Sequence, residues 1–139
     1  MKPRIFYDGV SYRVKGWKKI RQHIVKVITE EYKNPGDLNF VLTTDRRLLK
    51  INKEFLKHNY FTDVITFTLA DNDSISGEIY ISIDTVKKNA RNYKVSCYNE
   101  LLRVMIHGSL HLCGYEDGTV DERILMRERE DYWINDFLS

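Results

Sequence analysis

Apolar positions along the chain recur at two spacings, one typical of helices and the other of strands. Between about residues 16 and 32 the apolar residues stand three or four apart, which predicts a helix with one buried face. The segment 62–69 is instead rich in β-branched and aromatic residues, which predicts a strand. The same reasoning predicts helices over about 16–32, 45–57, 84–93, 98–113 and 121–138, and strands over about 5–7, 40–44, 62–69 and 78–83.

Polar segments separate these elements. The residues from Asn34 to Asp37 are typical of a turn, and the polar stretch 71–77 is predicted to join two strands of a hairpin. Asp45 and Asp84 begin two predicted helices, where a carboxylate can accept hydrogen bonds from free backbone N–H groups. Four strands among five helices predict an α+β fold, a single domain over 1–139 with a mixed sheet packed against the helices.

Composition and charge narrow the class of protein. The chain has 139 residues, of which 42% are hydrophobic, which is enough for one domain with a core. No apolar run approaches the roughly 20 residues that span a bilayer, and the first residues lack the apolar region of a signal peptide. We therefore expect a soluble cytoplasmic protein without membrane contact. Two cysteines make no disulfide framework, and a net charge of +2 means that any basic surface is local.

The segment from His107 to Asp117 has the spacing of a metal site. His107 and His111 are four residues apart, so on a helix both imidazoles lie on one face, one turn apart. Gly114 can end this helix in a left-handed conformation, and the chain can then fold back to bring Asp117 to the same cation. Three protein ligands leave a position open for water, as in a catalytic zinc site, so we predict one Zn²⁺ per chain.

Two neighbours compete with Asp117 as the third ligand. Cys113 falls far from the face of the helix that carries His107 and His111, which favours a role as a small core residue. Glu116 can ligate in place of Asp117 or act as a base, so we predict His107 and Glu116 as catalytic residues. An isolated histidine pair at this spacing is often incidental, but Gly114 and Asp117 at matching offsets favour a metal.

Gly108 argues against a peptidase. The order of histidines, glycine and third ligand is that of metzincin proteases, so we predict a metzincin-like metal helix. In those enzymes a glutamate follows the first histidine and acts as general base, whereas Gly108 has no side chain. Glycine inside a helix costs about 1 kcal/mol relative to alanine. A close approach of another backbone or of substrate would explain it.

Two helices carry charged faces. The helix predicted over 45–57 has an apolar side and one basic stripe, made of Arg46, Lys50, Lys53 and Lys57. This stripe is either a solvated helix face or a track for RNA phosphates beside the metal. The helix predicted over 121–138 is expected to contact the core through Trp133 and Phe137. Its charged residues are predicted to form a solvated face, namely Asp121, Glu122, Arg127, Glu128, Arg129 and Glu130.

The segment 107–117 resembles the signature H-G-x-L-H-L-x-G-Y-D-H of the YbeY family of bacterial endoribonucleases. Three further segments are similar to family motifs, namely 51–55 to L-N-x-x-[YF], 62–67 to T-D-V-L-S-F and 77–82 to G-D-I-x-I-S. The resemblance spans about residues 38–134. It implies a single-domain α+β protein that binds zinc through three ligands. The family acts in ribosomal RNA maturation and ribosome quality control in the cytoplasm, so ribosomal RNA and the small ribosomal subunit are the implied partners.

Two positions differ from the family pattern. Asp117 stands where the family usually has a third histidine, and because carboxylate oxygen is an ordinary zinc ligand the site is expected to persist. Leu56 stands where the family usually has an arginine that is tied to RNA cleavage, and Lys57 and His58 project in other directions. The resemblance implies a zinc-dependent endoribonuclease. The difference at Leu56 leaves a second function open, a non-catalytic ribosome-assembly factor that zinc stabilises and that binds RNA without cutting it.

Overall fold

The computed structural model describes residues 3–31, 33–55, 63–68 and 74–139, and these form an α+β fold, which confirms the predicted class. The elements follow the chain in the order β1 (Arg4–Tyr7), α1 (Trp17–Glu30), β2 (Pro35–Thr43), α2 (Asp45–Phe55), β3 (Val64–Thr68), β4 (Ile75–Ser82), α3 (Ile83–Tyr93), α4 (Cys97–Leu112) and α5 (Val120–Leu138). Among the helices of these ranges, none combines the length and the apolar composition that a membrane crossing needs.

The strands form one mixed sheet in the order β1-β2-β4-β3. β2 pairs in parallel with both β1 and β4, and β3 pairs antiparallel with β4, which confirms the predicted hairpin. Because β3 runs opposite to the other three strands, it begins at the edge of the sheet where those strands end. There the Ser82 N–H donates to the carbonyl of Asp63 at 2.9 Å. This edge therefore gathers the starts of α2 and α3 together with Asp63.

The turn predicted from Asn34 to Asp37 is wrong. The predicted start of β4, the second strand of the hairpin, is wrong as well. Pro35 begins β2 and pairs with Ile75, three residues before the predicted start of β4, and the register shifts between Pro35 and Leu38. Proline is accepted at the first residue of a strand, and a bulge absorbs the irregularity. Pairing between the two strands thus extends both of them into segments whose composition is typical of turns.

Contrary to the prediction, neither Asp45 nor Asp84 caps its own helix in the structure. Ser82 is the N-cap of α3, and its hydroxyl accepts from the Thr85 N–H at 3.3 Å. The carboxylate of Asp84 accepts from the N–H of Asp45 at 3.0 Å, and therefore caps α2 rather than its own helix. The Asp45 carboxylate in turn accepts from the hydroxyls of Ser82 and Thr85. The two acidic residues link the starts of neighbouring helices.

The core lies between the sheet and the helices, with α4 at its centre. This helix contacts α1, α3 and α5 as well as β3 and β4. Trp133 of α5 is 1% exposed and Phe137 is also buried, which confirms both as core contacts. Cys113 is buried as well, and burial raises the pKa of its thiol to about 11, so its prediction as a small core residue is confirmed. The metal-site segment is therefore held on the most enclosed helix of the fold.

Candidate metal centre

Gly108 lets α4 lie close against the sheet. A Cβ atom at this position would stand 2.9 Å from Cγ2 of Ile79, a fully buried residue of β4. The close neighbour is thus a side chain of the sheet rather than the expected backbone or substrate. Since the flanking turns of α4 pack on the same strand, the helix axis is fixed relative to β4. His107 is therefore held at a defined distance from the sheet.

The chain turns back directly after α4, as predicted. Gly114 has a φ of 108°, a conformation that favours glycine. Its N–H donates to the carbonyl of His111 at 3.0 Å, and the N–H of Tyr115 donates to that of Leu110 at 3.0 Å. This pair of hydrogen bonds is the Schellman arrangement, which satisfies the last carbonyls of the helix. The turn redirects the chain so that Asp117 faces the two histidines.

Three side chains converge at the end of this turn. Oδ2 of Asp117 lies 3.4 Å from Nε2 of His107 and 3.2 Å from Nε2 of His111. One ligand atom from each of the three residues lies within 4.8 Å of the others. Tetrahedral zinc has bonds of about 2.0 Å, so its ligand atoms are about 3.3 Å apart. The donor set and its spacing therefore fit a zinc ion held by His107, His111 and Asp117.

Hydrogen bonds set the tautomer of each imidazole. Nδ1 of His111 lies 2.8 Å from the carbonyl oxygen of Tyr115, and Nδ1 of His107 lies 2.6 Å from Oε2 of Glu130. Both partners are acceptors, so each Nδ1 donates, and each Nε2 is left facing the Asp117 carboxylate, with Nε2 of His111 at hydrogen-bond distance. A cation bound there would take the Nε2 lone pair in place of a proton. A metal-binding histidine normally donates its other N–H in this manner. Both rings are thus oriented as metal donors by groups of the protein itself.

The charges around the histidines favour a cation. Burial by itself lowers the pKa of His107, but the hydrogen bond and charge of Glu130, together with the charges of Asp117 and Asp63, raise that pKa overall. Burial also raises the pKa of Asp63, a carboxylate that lines the same small cleft. A concentration of acidic groups around two imidazoles provides the negative potential that a divalent cation needs.

Glu130 is a residue of the candidate metal centre that the sequence interpretation missed. It was predicted to lie on a solvated face, which is wrong, because its side chain is 6% exposed. Oε1 accepts from Nη1 of Arg103 at 2.9 Å, and Nη2 of Arg103 donates to Asp131 at 2.8 Å. A signal was present in the sequence, since Glu130 stands four residues after Met126 and three before Trp133, on the buried face of α5.

The structure does not bring Glu116 to the three ligands. Its side chain is exposed and lines a separate cleft with Glu31, Cys113 and Tyr115. The cleft beside His107 contains Asp63 and Glu130 instead. The catalytic role of Glu116 stays a prediction that the observed geometry does not favour.

The basic stripe of α2 forms an open surface. Arg46, Lys50 and Lys53 are exposed and line a cleft of about 670 Å³ next to the ends of β1 and β2. Arg47 lines the same cleft, and its Nε donates to the carboxylate of Asp8 at 2.9 Å. We name Arg46, Lys50 and Lys53 the α2 basic surface. Their predicted placement on one side of the helix is confirmed.

The C-terminal end of α2 departs from the predicted pattern. Leu48 is buried as expected, but Phe55 is 67% exposed and contacts the ring of Phe67 edge-on at 6.3 Å between centroids. The stripe residue Lys57 and the family difference at Leu56 lie outside the described residues. The described part of the basic stripe therefore ends at Lys53.

Comparisons with known proteins place this geometry in a family. The family model described as Endoribonuclease YbeY matches residues 8–138. The Endoribonuclease YbeY of Flavobacterium psychrophilum is 46% identical over 108 residues, which are 78% of this chain and 77% of the relative. That of Amoebophilus asiaticus is 42% identical over 130 residues, 93% of this chain and 88% of the relative. The solution structure of TM1509 from Thermotoga maritima is 29% identical and superposes with a TM-score of 0.68, covering 97% of this chain and 88% of that one. The chain belongs to the Endoribonuclease YbeY family.

Proposed function

We propose that this protein is a zinc-dependent endoribonuclease of the cytoplasm that cuts ribosomal RNA precursors during ribosome maturation and quality control. Its partners would be ribosomal RNA and the small ribosomal subunit. The observation that carries the proposal is the convergence of His107, His111 and Asp117 in a member of an endoribonuclease family. The relatives' name states cleavage of RNA, and the three side chains supply a site for the metal.

Zinc is the cation that best matches the donor set. Two imidazole nitrogens and one carboxylate oxygen are borderline donors that suit zinc better than magnesium or calcium, which prefer oxygen ligands alone. Three protein ligands are the number found in catalytic zinc sites. When bound, zinc supplies Lewis-acid polarisation of a phosphate oxygen and lowers the pKa of water.

The protein groups around the site prepare it for this chemistry. The Tyr115 carbonyl and the Glu130 carboxylate hold the two imidazoles as Nε2 donors, so little reorganisation is needed when the cation binds. His107 and His111 are each 21% exposed, so the cation would be open to a large substrate on one side.

The α2 basic surface supports an RNA substrate. Its three cations stand on an open face, where a polyanion can displace their counterions. The acidic groups around the metal ligands would repel phosphate, so attraction for RNA must come from another part of the surface. Arg46, Lys50 and Lys53 can supply that attraction at the sheet edge where Asp63 also lies.

Cleavage of a ribosomal RNA precursor fragment by the purified, zinc-loaded protein is the direct test. We expect cleavage that stops with a chelator, returns with added zinc and is absent from His111→Ala. The matched control is His23→Gln, because His23 is a buried histidine whose Nε2 lies 2.8 Å from the Trp133 carbonyl, a hydrogen bond that glutamine can also donate. Zinc-loaded wild-type protein that cuts no faster than His111→Ala with chelator has no activity from this metal centre, and that result would refute the proposal.

A non-catalytic assembly factor is the second candidate, and it is favoured by Leu56 in place of the arginine that the family usually has. In that case the protein binds the same RNA tightly without cutting it. Removal of zinc then lowers the melting temperature of the protein, and there is no cleavage activity to lose. Binding without cleavage by the zinc-loaded protein would therefore select this second function.

A further inference from the structure

We infer that Glu130 is a positioning residue of the metal centre. Through its hydrogen bond to Nδ1 of His107, and supported by Arg103, it determines which nitrogen of His107 is offered to the metal. This inference rests on the proposed function, because it describes how the same site is prepared for its cation. It adds α5 to the elements that build the metal centre, although α5 supplies none of the three ligands.

The two oxygens of Glu130 are divided between two partners. Oε2 lies 2.6 Å from Nδ1 of His107, and Oε1 accepts from Nη1 of Arg103 at 2.9 Å. The side chain is 6% exposed, and a carboxylate at such depth is stable only when its oxygens are well paired. Because each oxygen has its own donor, rotation of the carboxylate would break both hydrogen bonds. The orientation of the His107 ring is fixed by the same pairing.

Arg103 holds the Glu130 carboxylate in this orientation. It precedes His107 by four residues on α4, so both side chains project from the same face toward α5. Its guanidinium contacts Glu130 through Nη1 and Asp131 through Nη2, the second contact being 2.8 Å. Because Asp131 holds the other end of the guanidinium, the single contact of Nη1 with Oε1 of Glu130 is kept in place. Arg103 thereby keeps Oε2 of Glu130 aimed at Nδ1 of His107.

The two histidines depend on different parts of the chain. His111 donates to the carbonyl of Tyr115, four residues away within the turn that ends α4. His107 donates to a side chain 23 residues away on another helix. An ionised acceptor also makes the imidazole a stronger metal donor than a neutral carbonyl does. The contribution of His107 to metal affinity therefore depends on the packing of α5 on α4. The contribution of His111 depends only on the turn that ends α4.

The test compares zinc affinity by chelator competition in Glu130→Gln, Glu130→Ala and two matched controls. Loss of such a partner usually costs about 10- to 100-fold in metal affinity, and we expect that range for Glu130→Ala. Glu130→Gln is expected to lose less, because its amide oxygen can still accept from Nδ1. Glu128→Gln and Glu128→Ala make the same two changes at an exposed position of α5. Both controls should bind zinc as wild type does.

A second measurement separates positioning from general stability. Nitrogen-15 NMR of the imidazoles should show His107 with a protonated Nδ1 in the wild-type protein and a mixture of tautomers in Glu130→Ala, while His111 is unchanged. Glu130→Gln conserves the volume of the side chain but has one acceptor oxygen for two donors, so it keeps the comparison available if Glu130→Ala unfolds. Wild-type zinc affinity and an unchanged His107 tautomer in both variants would overturn the inference.

The results that would refute the proposed function differ from those that would refute the role of Glu130. If the wild-type protein binds no zinc, the metal proposal fails, and the tautomer of His107 in the metal-free protein still decides the role of Glu130. If the wild-type protein binds zinc and both Glu130 variants bind it equally well, the role of Glu130 alone is refuted.

Discussion

The metal centre and the α2 basic surface are two candidate functional regions built in opposite ways. In the metal centre His107 and His111 each have one nitrogen engaged by a protein acceptor and the other facing Asp117. On the α2 basic surface Arg46, Lys50 and Lys53 are exposed, and the ion pair of Lys50 with Glu54 is a weak one of 4.0 Å. One region is fixed in advance, and the other is free to adapt to a ligand.

This difference teaches where single residues matter. Short, partly buried hydrogen bonds act in a medium of low effective dielectric, so the loss of one partner leaves others unsatisfied. Exposed charges are screened by salt over a distance of about 8 Å at physiological ionic strength, so each contributes little and the contributions add. Substitutions in the metal centre should thus have large individual effects, while the α2 basic surface should respond gradually.

Loss of a histidine should have the largest effect. His107→Ala or His111→Ala removes one of the three candidate ligands. We expect zinc affinity to fall by more than about 100-fold, which is the upper range for loss of a residue that only hydrogen-bonds to a ligand. Metal analysis after dialysis would show about one zinc per chain in the wild type and none in these variants. His23→Gln serves as control and should retain its zinc. Full zinc content in either alanine variant would contradict the assigned ligand set.

Replacement of Asp117 should have a smaller effect on zinc. Its side chain is 43% exposed, so water can enter the position that the carboxylate leaves in Asp117→Ala. We expect zinc affinity, measured by chelator competition, to fall by about 10-fold or more. Asp117→His restores the ligand usual in the family and should bind zinc about as tightly as the wild type. Equal binding by the alanine variant would show that Asp117 is not a ligand.

Gly108→Ala probes the packing that positions the metal centre. The added methyl group meets Ile79 at 2.9 Å, and overpacking of this kind costs about 1–3 kcal/mol, while the better helix propensity of alanine offsets about 1 kcal/mol. We expect a lower free energy of unfolding, measured with urea on metal-free protein. In an Ile79→Ala background the same substitution should become neutral or stabilising, and a cost that persists there would rule out the clash with Ile79 as its cause.

The α2 basic surface should show the smallest effect per residue. Combined replacement of Arg46, Lys50 and Lys53 by alanine should reduce the slope of log affinity against log salt for single-stranded RNA. The expected reduction is about 0.7 for each phosphate that these side chains neutralise. Zinc content should not change. A control with three exposed lysines of other segments replaced (Lys15, Lys18 and Lys88) should keep the wild-type slope. An unchanged slope in the α2 variant would remove this surface from the RNA-binding site.

Local patterns were sufficient for most elements and for the convergence of the candidate ligands. Helical periodicity located the five helices of the described residues, and the spacing from His107 through Gly114 to Asp117 predicted the turn and the convergence that the structure shows. These features depend on neighbours three to six residues apart. Local backbone geometry therefore decides them almost alone.

The predictions were wrong where a partner that is distant in sequence determines the local structure. Pro35 and Ile75 belong to strands because β2 and β4 pair, although both lie in segments typical of turns. Asp84 accepts from the N–H of Asp45, and the Asp45 carboxylate accepts from hydroxyls at the start of α3, because the starts of α2 and α3 meet at one sheet edge. Composition within a short window carries no information about either pairing.

The sequence by itself determined that His107, His111 and Asp117 converge, since two histidines one helical turn apart and a helix that ends at a glycine need only local geometry. Only the tertiary structure decided what supports them. Glu130 has the composition of a solvated residue and becomes a buried acceptor because α5 packs on α4, where Arg103 and His107 share its two oxygens. Long-range packing sets burial, and burial turns a surface carboxylate into part of the site.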